Sequence, residues 1–379
     1  MKILIFRGKL KNNGISTALV NLLDSIDFSK HSVTLIMVYD KKFRNSGVAE
    51  KINSNVRVIC KRTTFMGMMY EQLVRKTDLI NSKTKGYQRF IDRDRKSLLG
   101  SEDFDCVIDF DGYNLYYNHF LTGMKGKKCI WLHNDMMSEY ETRSPWLKRN
   151  FKEYGSFDAI VSCGAGVNEV NKHNLCEKYG IPEDKFVFVP NLATTDRVYK
   201  MAEEAGAFEP EKNCISFISV GRCSVEKNHS ALIKAFKRVY DENKSVRLII
   251  LGEGPLLDEE RALSDTLGIK NVVYQPGLVM NPYAIMKKCD CFILPSLHEG
   301  QPMVVAEARA LKMPIILGDF STVEGCCTED GQLVCKNDEE GLYKAMKSFI
   351  NGEVPSDYEF NEEKYNQDAM EKFYEVIQG

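Results

Sequence analysis

Long apolar runs are missing from this chain of 379 residues, and so is any imbalance of charge. No stretch approaches the roughly 20 consecutive apolar residues that a membrane-spanning helix needs. The formal net charge is −2, from 51 Lys and Arg against 53 Asp and Glu, so nothing favours bulk binding to nucleic acid. Twelve cysteines are present, but no pair of Cys-x-x-Cys elements, which removes the usual signatures of a zinc site or a disulfide framework. Several fall in apolar surroundings (Cys106, Cys129, Cys214 and Cys291) and are expected to be buried thiols of a reducing compartment. The chain opens on a strand-like MKILIF rather than a leader, so the expected location is the cytoplasm, at most peripheral at the inner face of a membrane. Neither G-x-G-x-x-G nor a Walker A motif occurs, and no Asp/His cluster marks a metal site. The expectation is therefore no bound cofactor and no metal.

The most informative stretch is CDCFILPSLHEGQPMVVAEARALKMPIIL, Cys289 to Leu317. Cys291 to Leu294 reads as a buried parallel strand, Ser296 to Gln301 as a polar loop, and Pro302 as the first residue of a helix. Ile315 to Leu317 starts the next strand. Such a loop lies at the carboxyl end of its strand, where open α/β sheets bind ligands. At about 100° per residue, Glu307 falls within a stripe of Met303, Val304, Ala310 and Leu311, with Arg309 and Lys312 on the opposite side. A carboxylate on an apolar stripe needs a partner, either a structural cation or a polar ligand. Glu307 lies about 8 Å along the helix axis from Pro302, close enough to share a site with Glu299. The helix start itself favours anions.

Length favours two domains. Strands expected at 2–6, 33–38, 56–60, 106–108, 128–132, 159–162 and 186–189 make a first series, which ends near Asn191. After a polar segment without a strand, the alternation restarts at 215–220, 246–251, 271–274, 291–294 and 315–317. We therefore expect two doubly wound Rossmann-like α/β domains facing across a cleft: residues 1–191, joined by a final amphipathic helix at 361–379, and residues 192–360. Gly14, just before the first helix, would let backbone approach a ligand. His133 ends one strand beside Asn134 and Asp135, as either a structural or a ligand-binding histidine. Residues 65–99 are helical and basic, with the apolar Phe65, Met66, Met68 and Met69 at one end. They suit docking on anionic lipid or a phosphate-bearing acceptor, or else form a solvated helix face, and Trp146 hints at the same kind of acceptor.

Arg222 and Lys227 share the loop after the strand at 215–220. A guanidinium fork and a mobile ammonium flanking a helix start fit a diphosphate, although a solvated loop would carry the same residues.

These elements resemble the family-four glycosyltransferases of the GT-B fold. Glu299 to Glu307 matches that family's E-x7-E element, and Ser219-Val-Gly-Arg222 continuing to Lys227-Asn228 resembles its VGR…K element. His133 falls at the family's histidine, and Val189-Pro-Asn191 resembles the segment that ends the first domain. Two departures stand out. Asn13-Gly14 replaces a common pair of glycines, and Leu192 follows Asn191 where glycine is common.

The resemblance implies retaining, metal-independent transfer of a sugar from a nucleotide sugar, UDP favoured, to a glycan, lipid-linked or cell-surface polymer acceptor. It implies that Arg222 and Lys227 hold the diphosphate, Glu307 binds the ribose, and Glu299 contacts the sugar. It further implies that Leu278 backbone meets the base, that His133 meets a sugar hydroxyl, and that Gly14, Gly300, Gln301 and Pro302 complete the donor site. A nucleotide-sugar epimerase of the same fold and a catalytically silent partner subunit are the competing readings. No hydrolase-like carboxylate pair is visible.

Overall fold

A computed structural model places residues 1–10, 13–38, 51–62, 64–77, 80–81, 83–193, 195–204, 211, 213–327, 331–355 and 361–379, and the description is confined to these. The chain divides into two compact units, Met1–Leu192 with Asn366–Gly379, and Ala193–Tyr365. The second division falls inside the last helix.

In the first unit, seven parallel strands run in the order β3-β2-β1-β4-β5-β6-β7. They are β1 (Lys2–Arg7), β2 (Ser32–Val38), β3 (Arg57–Lys61), β4 (Cys106–Asp109), β5 (Lys127–Leu132), β6 (Ala159–Ser162) and β7 (Phe186–Phe188). The central strands β1, β4, β5 and β6 read as nearly continuous apolar runs because helices cover both faces of the sheet. Those helices are α1 (Gly14–Ser25), α2 (Phe65–Lys76), α3 (Lys85–Leu99), α4 (Leu115–Thr122), α5 (Met136–Thr142), α6 (Leu147–Tyr154) and α7 (Ala165–Tyr179). The basic tract at 65–99 is thus two helices rather than one. Gly14 is the first residue of α1 and not the residue before it, since the Asn13 side chain caps the helix by accepting from Ser16 N at 3.0 Å.

The second unit begins with α8 (Thr195–Ala202) and has a six-stranded parallel sheet, ordered β10-β9-β8-β11-β12-β13. Its strands are β8 (Ile215–Val220), β9 (Val246–Leu251), β10 (Val273–Gly277), β11 (Cys291–Leu294), β12 (Ile315–Gly318) and β13 (Leu333–Cys335). Its helices continue with α9 (His229–Glu242), α10 (Leu257–Thr266), α11 (Tyr283–Met286), α12 (Met303–Ala310) and α13 (Glu339–Ile350). β10 starts two residues later than the apolar run suggests and extends through Pro276. As an edge strand it tolerates a residue without an N–H. Both sheets reverse their order at one place, between β1 and β4 and between β8 and β11, the topological switch points where ligands bind in such folds.

The last helix, α14 (Glu362–Gln378), buries Ala369, Phe373 and Ile377, with Phe373 against Trp131 and Tyr374 stacked on His31. The spacing of four is the amphipathic stripe that the sequence shows.

Three local expectations are corrected. Pro302 is not the first helical residue but the cap: its ψ of 107° is extended, and α12 begins at Met303. Arg309 does not point to solvent. It is 9% exposed, and its guanidinium donates to Gln332 Oε1 at 2.9 Å and to the Cys326 carbonyl. The deepest apolar positions of α12 are Val305, Ala308 and Ala310. Because α8 also packs against α12, periodicity alone identifies no single inward stripe. Finally, the cysteines are all free thiols but not all buried, since Cys60 is exposed and Cys214 precedes β8, half-buried.

Candidate functional site

In the second unit the loops after the strands are tied to one another, largely through main chain. Gly221 N donates to Leu251 O at 2.9 Å, Gly252 N to Gly277 O at 3.0 Å, and Cys223 N to Glu253 O at 3.1 Å. Each of these three strand ends therefore runs into a glycine. At Gly252 the reason is steric: a Cβ there would sit 1.8 Å from Gly221 O, and φ is +152°. At Gly254 it would sit 2.1 Å from Cys223 O. Gly252→Ala should force the Arg222 loop away from β9 and cost about 1–3 kcal/mol, read as a lowered denaturant midpoint. An unchanged midpoint would show that the loop does not need this approach.

The Arg222 loop and the Glu299 loop stand on opposite sides of the β8/β11 switch point, and they are tied together. Leu297 N donates to Glu226 O at 2.8 Å, and Asn228 Nδ2 donates to Pro295 O at 3.2 Å. Lys227 Nζ makes an ion pair with Glu299 Oε1, which also accepts from Ser296 Oγ at 2.6 Å. Thr322 Oγ1 fixes the same loop from behind, donating to Glu299 O at 2.8 Å and Gly300 O at 3.3 Å. Gln301 Nε2 donates to Tyr365 Oη at 2.9 Å. Arg222 is different: it is exposed, and its guanidinium has no partner among the described residues. One cation is held by a carboxylate and the other is available to an incoming anion.

Glu307 is half-buried on α12 and accepts from Tyr283 Oη at 2.9 Å. Burial pushes its carboxyl above the usual range, opposed by the Tyr283 hydroxyl and by the charge of Arg197. Among the described residues it makes no salt bridge. Instead its partner is a phenol, which leaves the other carboxylate oxygen for a further donor. Leu278 follows β10 and is 48% exposed.

In the first unit the strand ends at the switch point bring Arg7 and Asp111 together, Arg7 Nη1 to Asp111 Oδ2 at 2.6 Å, with Gly8 N donating to the same oxygen at 3.2 Å. A Cβ on Gly8 would meet that oxygen at 2.5 Å, so the glycine permits the approach. His133 is 4% exposed, and its Nε2 lies 3.1 Å from Phe110 O. Burial first, and then nearby Arg7, pushes its pKa down to about 3. The ring is therefore neutral at ordinary pH, and because a carbonyl only accepts, the proton sits on Nε2 and Nδ1 is left an acceptor.

Asp109, fully buried, accepts from Asp111 N and Gly112 N at 3.0 Å each and from Asn118 Nδ2 at 2.6 Å. Burial and the charge of Asp111 push it up to about 7 from 3.8, against those hydrogen bonds. Between 3.8 and about 7 the folded state keeps a proton that the unfolded state has released. Stability should therefore fall as pH rises through that window, by at most about 1.4 kcal/mol per pH unit, and level off on either side. Thermal melts of Asp109→Asn should lack that component; an unaltered pH profile would refute the assignment.

Spacing in the sequence does not reveal Arg7, Asp111, Tyr283 or Thr322 as members of these constellations, because each meets a partner more than 20 residues away in the chain. It also misses the one group among the described residues with the donor set of a metal site. Cys223, His229 and Glu260, all buried, have ligand atoms within 4.8 Å of one another.

With this geometry in place, comparison with known proteins is informative. Residues 202–367 match the family described as "Glycosyl transferases group 1". An uncharacterised glycosyltransferase of Methanocaldococcus jannaschii is 29% identical over 199 residues, 52% of this chain and 49% of the relative. A relative from Campylobacter jejuni, named as an N-acetylgalactosaminyltransferase acting on a diphospho-undecaprenol-linked saccharide, is 28% identical over 222 residues, 58% of each chain. The chain thus aligns with about half the length of these curated relatives. Among solved structures, Anabaena HepE in complex with UDP and glucose superposes with a TM-score of 0.73 at 13% identity, covering 98% of this chain and 99% of that one. A mutant of S. aureus TarM in complex with UDP and glycan ligands gives 0.68 at 9% identity, covering 100% of both. Two Rossmann-like units arranged in sequence in this way constitute the GT-B fold.

Proposed function

We propose that this chain, whose residues 202–367 form a group 1 glycosyltransferase domain, transfers a hexosyl unit from a nucleoside-diphosphate sugar with retention and without a catalytic metal. The observation that carries the reading is the pair of cations on one loop beside the β8/β11 switch point. Lys227 is held by Glu299, and Arg222 is exposed without a partner among the described residues. A departing nucleoside diphosphate needs its growing charge met by fixed donors, and Arg222 with Lys227 supplies them. Glu299 orients Lys227 and contacts the sugar. Glu307, with one oxygen on Tyr283, accepts from the ribose hydroxyls, and Leu278 backbone meets the base. In this mechanism the leaving phosphate takes the acceptor proton as the new bond forms on the same face. Gly300, Gln301 and Pro302 line the donor site, while His133, neutral with Nδ1 an acceptor, is suited to receive a hydroxyl.

UDP is favoured because UDP is bound in both structural neighbours described above. A lipid-linked or glycan acceptor draws support from the Campylobacter jejuni relative, whose name specifies an acceptor on diphospho-undecaprenol. Thermal melts of the full chain with UDP-, GDP- and ADP-sugars test the donor, since a true donor raises the midpoint with concentration. Donor turnover with and without acceptor then separates transfer from the alternatives. Turnover without any acceptor would indicate an epimerase, and no response to any donor would indicate a silent partner subunit.

The same reading includes peripheral contact with an anionic membrane through α2. Phe65 is 78% exposed, with Met66 at 51%, Met68 at 48% and Met69 at 40%. Among the described residues no helix is long and apolar enough to cross a membrane. Of the basic residues nearby, Arg75 lies over the Trp146 ring at 4.4 Å and Arg95 donates to His119 O and Phe120 O at 2.8 and 2.7 Å, so these two serve packing. Arg89 and Arg93 stay exposed. Replacing Phe65, Met66 and Met69 together with Ser should reduce co-sedimentation with anionic vesicles about tenfold or more while leaving the melting temperature unchanged. Equal co-sedimentation of the two proteins would remove the membrane contact.

A further inference from the structure

We propose that Cys223, His229 and Glu260 form a binding site for a divalent transition-metal ion of the Zn²⁺ type, which fastens the Arg222 loop to α9 and α10. The three residues come from different elements: Cys223 from the loop after β8, His229 from the first position of α9, and Glu260 from α10. None is more than 1% exposed, and their ligand atoms all lie within 4.8 Å of one another. His229 Nδ1 is 3.3 Å from both Glu260 oxygens. That matches the edge of a zinc tetrahedron, about 3.4 Å for nitrogen and oxygen ligands at their usual bond lengths.

A second observation points the same way. Glu260 Oε2 accepts from Gln275 Nε2 at 3.3 Å and faces His229 Nδ1, whereas Oε1, buried and 3.3 Å from the same His229 nitrogen, makes no well-formed hydrogen bond among the described residues. The Cys223 thiol has one proton for two acceptors, Gly252 O at 3.3 Å and the Glu260 carboxylate. A carboxylate oxygen left bare in the interior is costly unless a cation faces it. Charge balance also fits: a thiolate, a carboxylate and a neutral imidazole cancel a 2+ ion, leaving the buried site uncharged. Sulfur and nitrogen ligands select Zn²⁺ over Mg²⁺ or Ca²⁺. Binding exchanges the thiol proton for the cation, and the proton leaves to solvent.

The ion would not touch the sugar nucleotide in this arrangement. It would act one residue away, holding the backbone that carries Arg222, and so it is compatible with transfer chemistry that uses no metal.

The test uses the full chain, purified after growth with added zinc and passed through a desalting column. Elemental analysis should find about one zinc ion per chain, falling at least about fivefold in Cys223→Ser and staying unchanged in Cys289→Ser, a buried thiol elsewhere in the unit. Co²⁺ added to chelator-stripped wild type should give a thiolate-to-cobalt charge-transfer band, which reports sulfur ligation even if Cys223→Ser fails to fold. Added Zn²⁺ should raise the melting temperature of the stripped protein. The proposal is overturned by a zinc-free wild type with no cobalt–thiolate band. Zinc retained equally by folded Cys223→Ser, an adventitious ion only, would overturn it as well.

Discussion

Lys227→Met should lower kcat by about 10²–10³-fold, the range for removing one fixed donor from a developing anion. It should also destabilise the protein, because Lys227 is not a free surface cation. Its side chain is 18% exposed and that of Glu299 11%, and among the described residues their ion pair is seconded by Ser296 Oγ alone. Removing the lysine leaves Glu299 in a poorly hydrated position with one hydroxyl donor. We expect a loss of about 2–3 kcal/mol, below the range for a fully buried pair because both groups keep some water. The double substitution Lys227→Met with Glu299→Gln separates the two effects. A neutral amide no longer needs the ammonium, so most of the stability should return, while activity should not. Recovery of activity along with stability would mean that the pair only supports the loop and that Lys227 never meets the diphosphate.

Arg222→Ala should produce a comparable fall in kcat, about 10²-fold or more, with almost no effect on folding. The side chain is exposed and unpartnered among the described residues, so its loss should move unfolding free energy by no more than about 0.5 kcal/mol. Arg222→Lys restores the charge without the planar fork and should fall between the two. The contrast with Lys227 is the useful measurement. Two cations on one loop, five positions apart in sequence, are expected to have similar catalytic effects and very unequal structural ones. If Arg222→Ala turned over donor at the wild-type rate in steady-state assays, the diphosphate would have to lie elsewhere, and the proposed function would lose its main support.

Much of this protein was determined locally. Apolar runs at Ala159–Ser162, Ile215–Val220, Val246–Leu251 and Cys291–Leu294 are strands with those same bounds, because a strand covered on both faces needs apolar residues at successive positions. The spacing from Glu299 to Glu307 and the grouping of Arg222 with Lys227 could likewise be read directly, since each lies within one loop and its helix. What the sequence could not decide was which loops meet. Lys227 reaches Glu299 across 72 residues, and Arg7 reaches Asp111, because β8 pairs with β11 and β1 with β4. The gathering of Cys223, His229 and Glu260 and the burial of Arg309 between its own helix and the Cys326 carbonyl have the same origin. Side-chain periodicity reports only whether a position is covered. Which group covers it, and therefore which cation is paired among the described residues, depends on strand order and non-local packing.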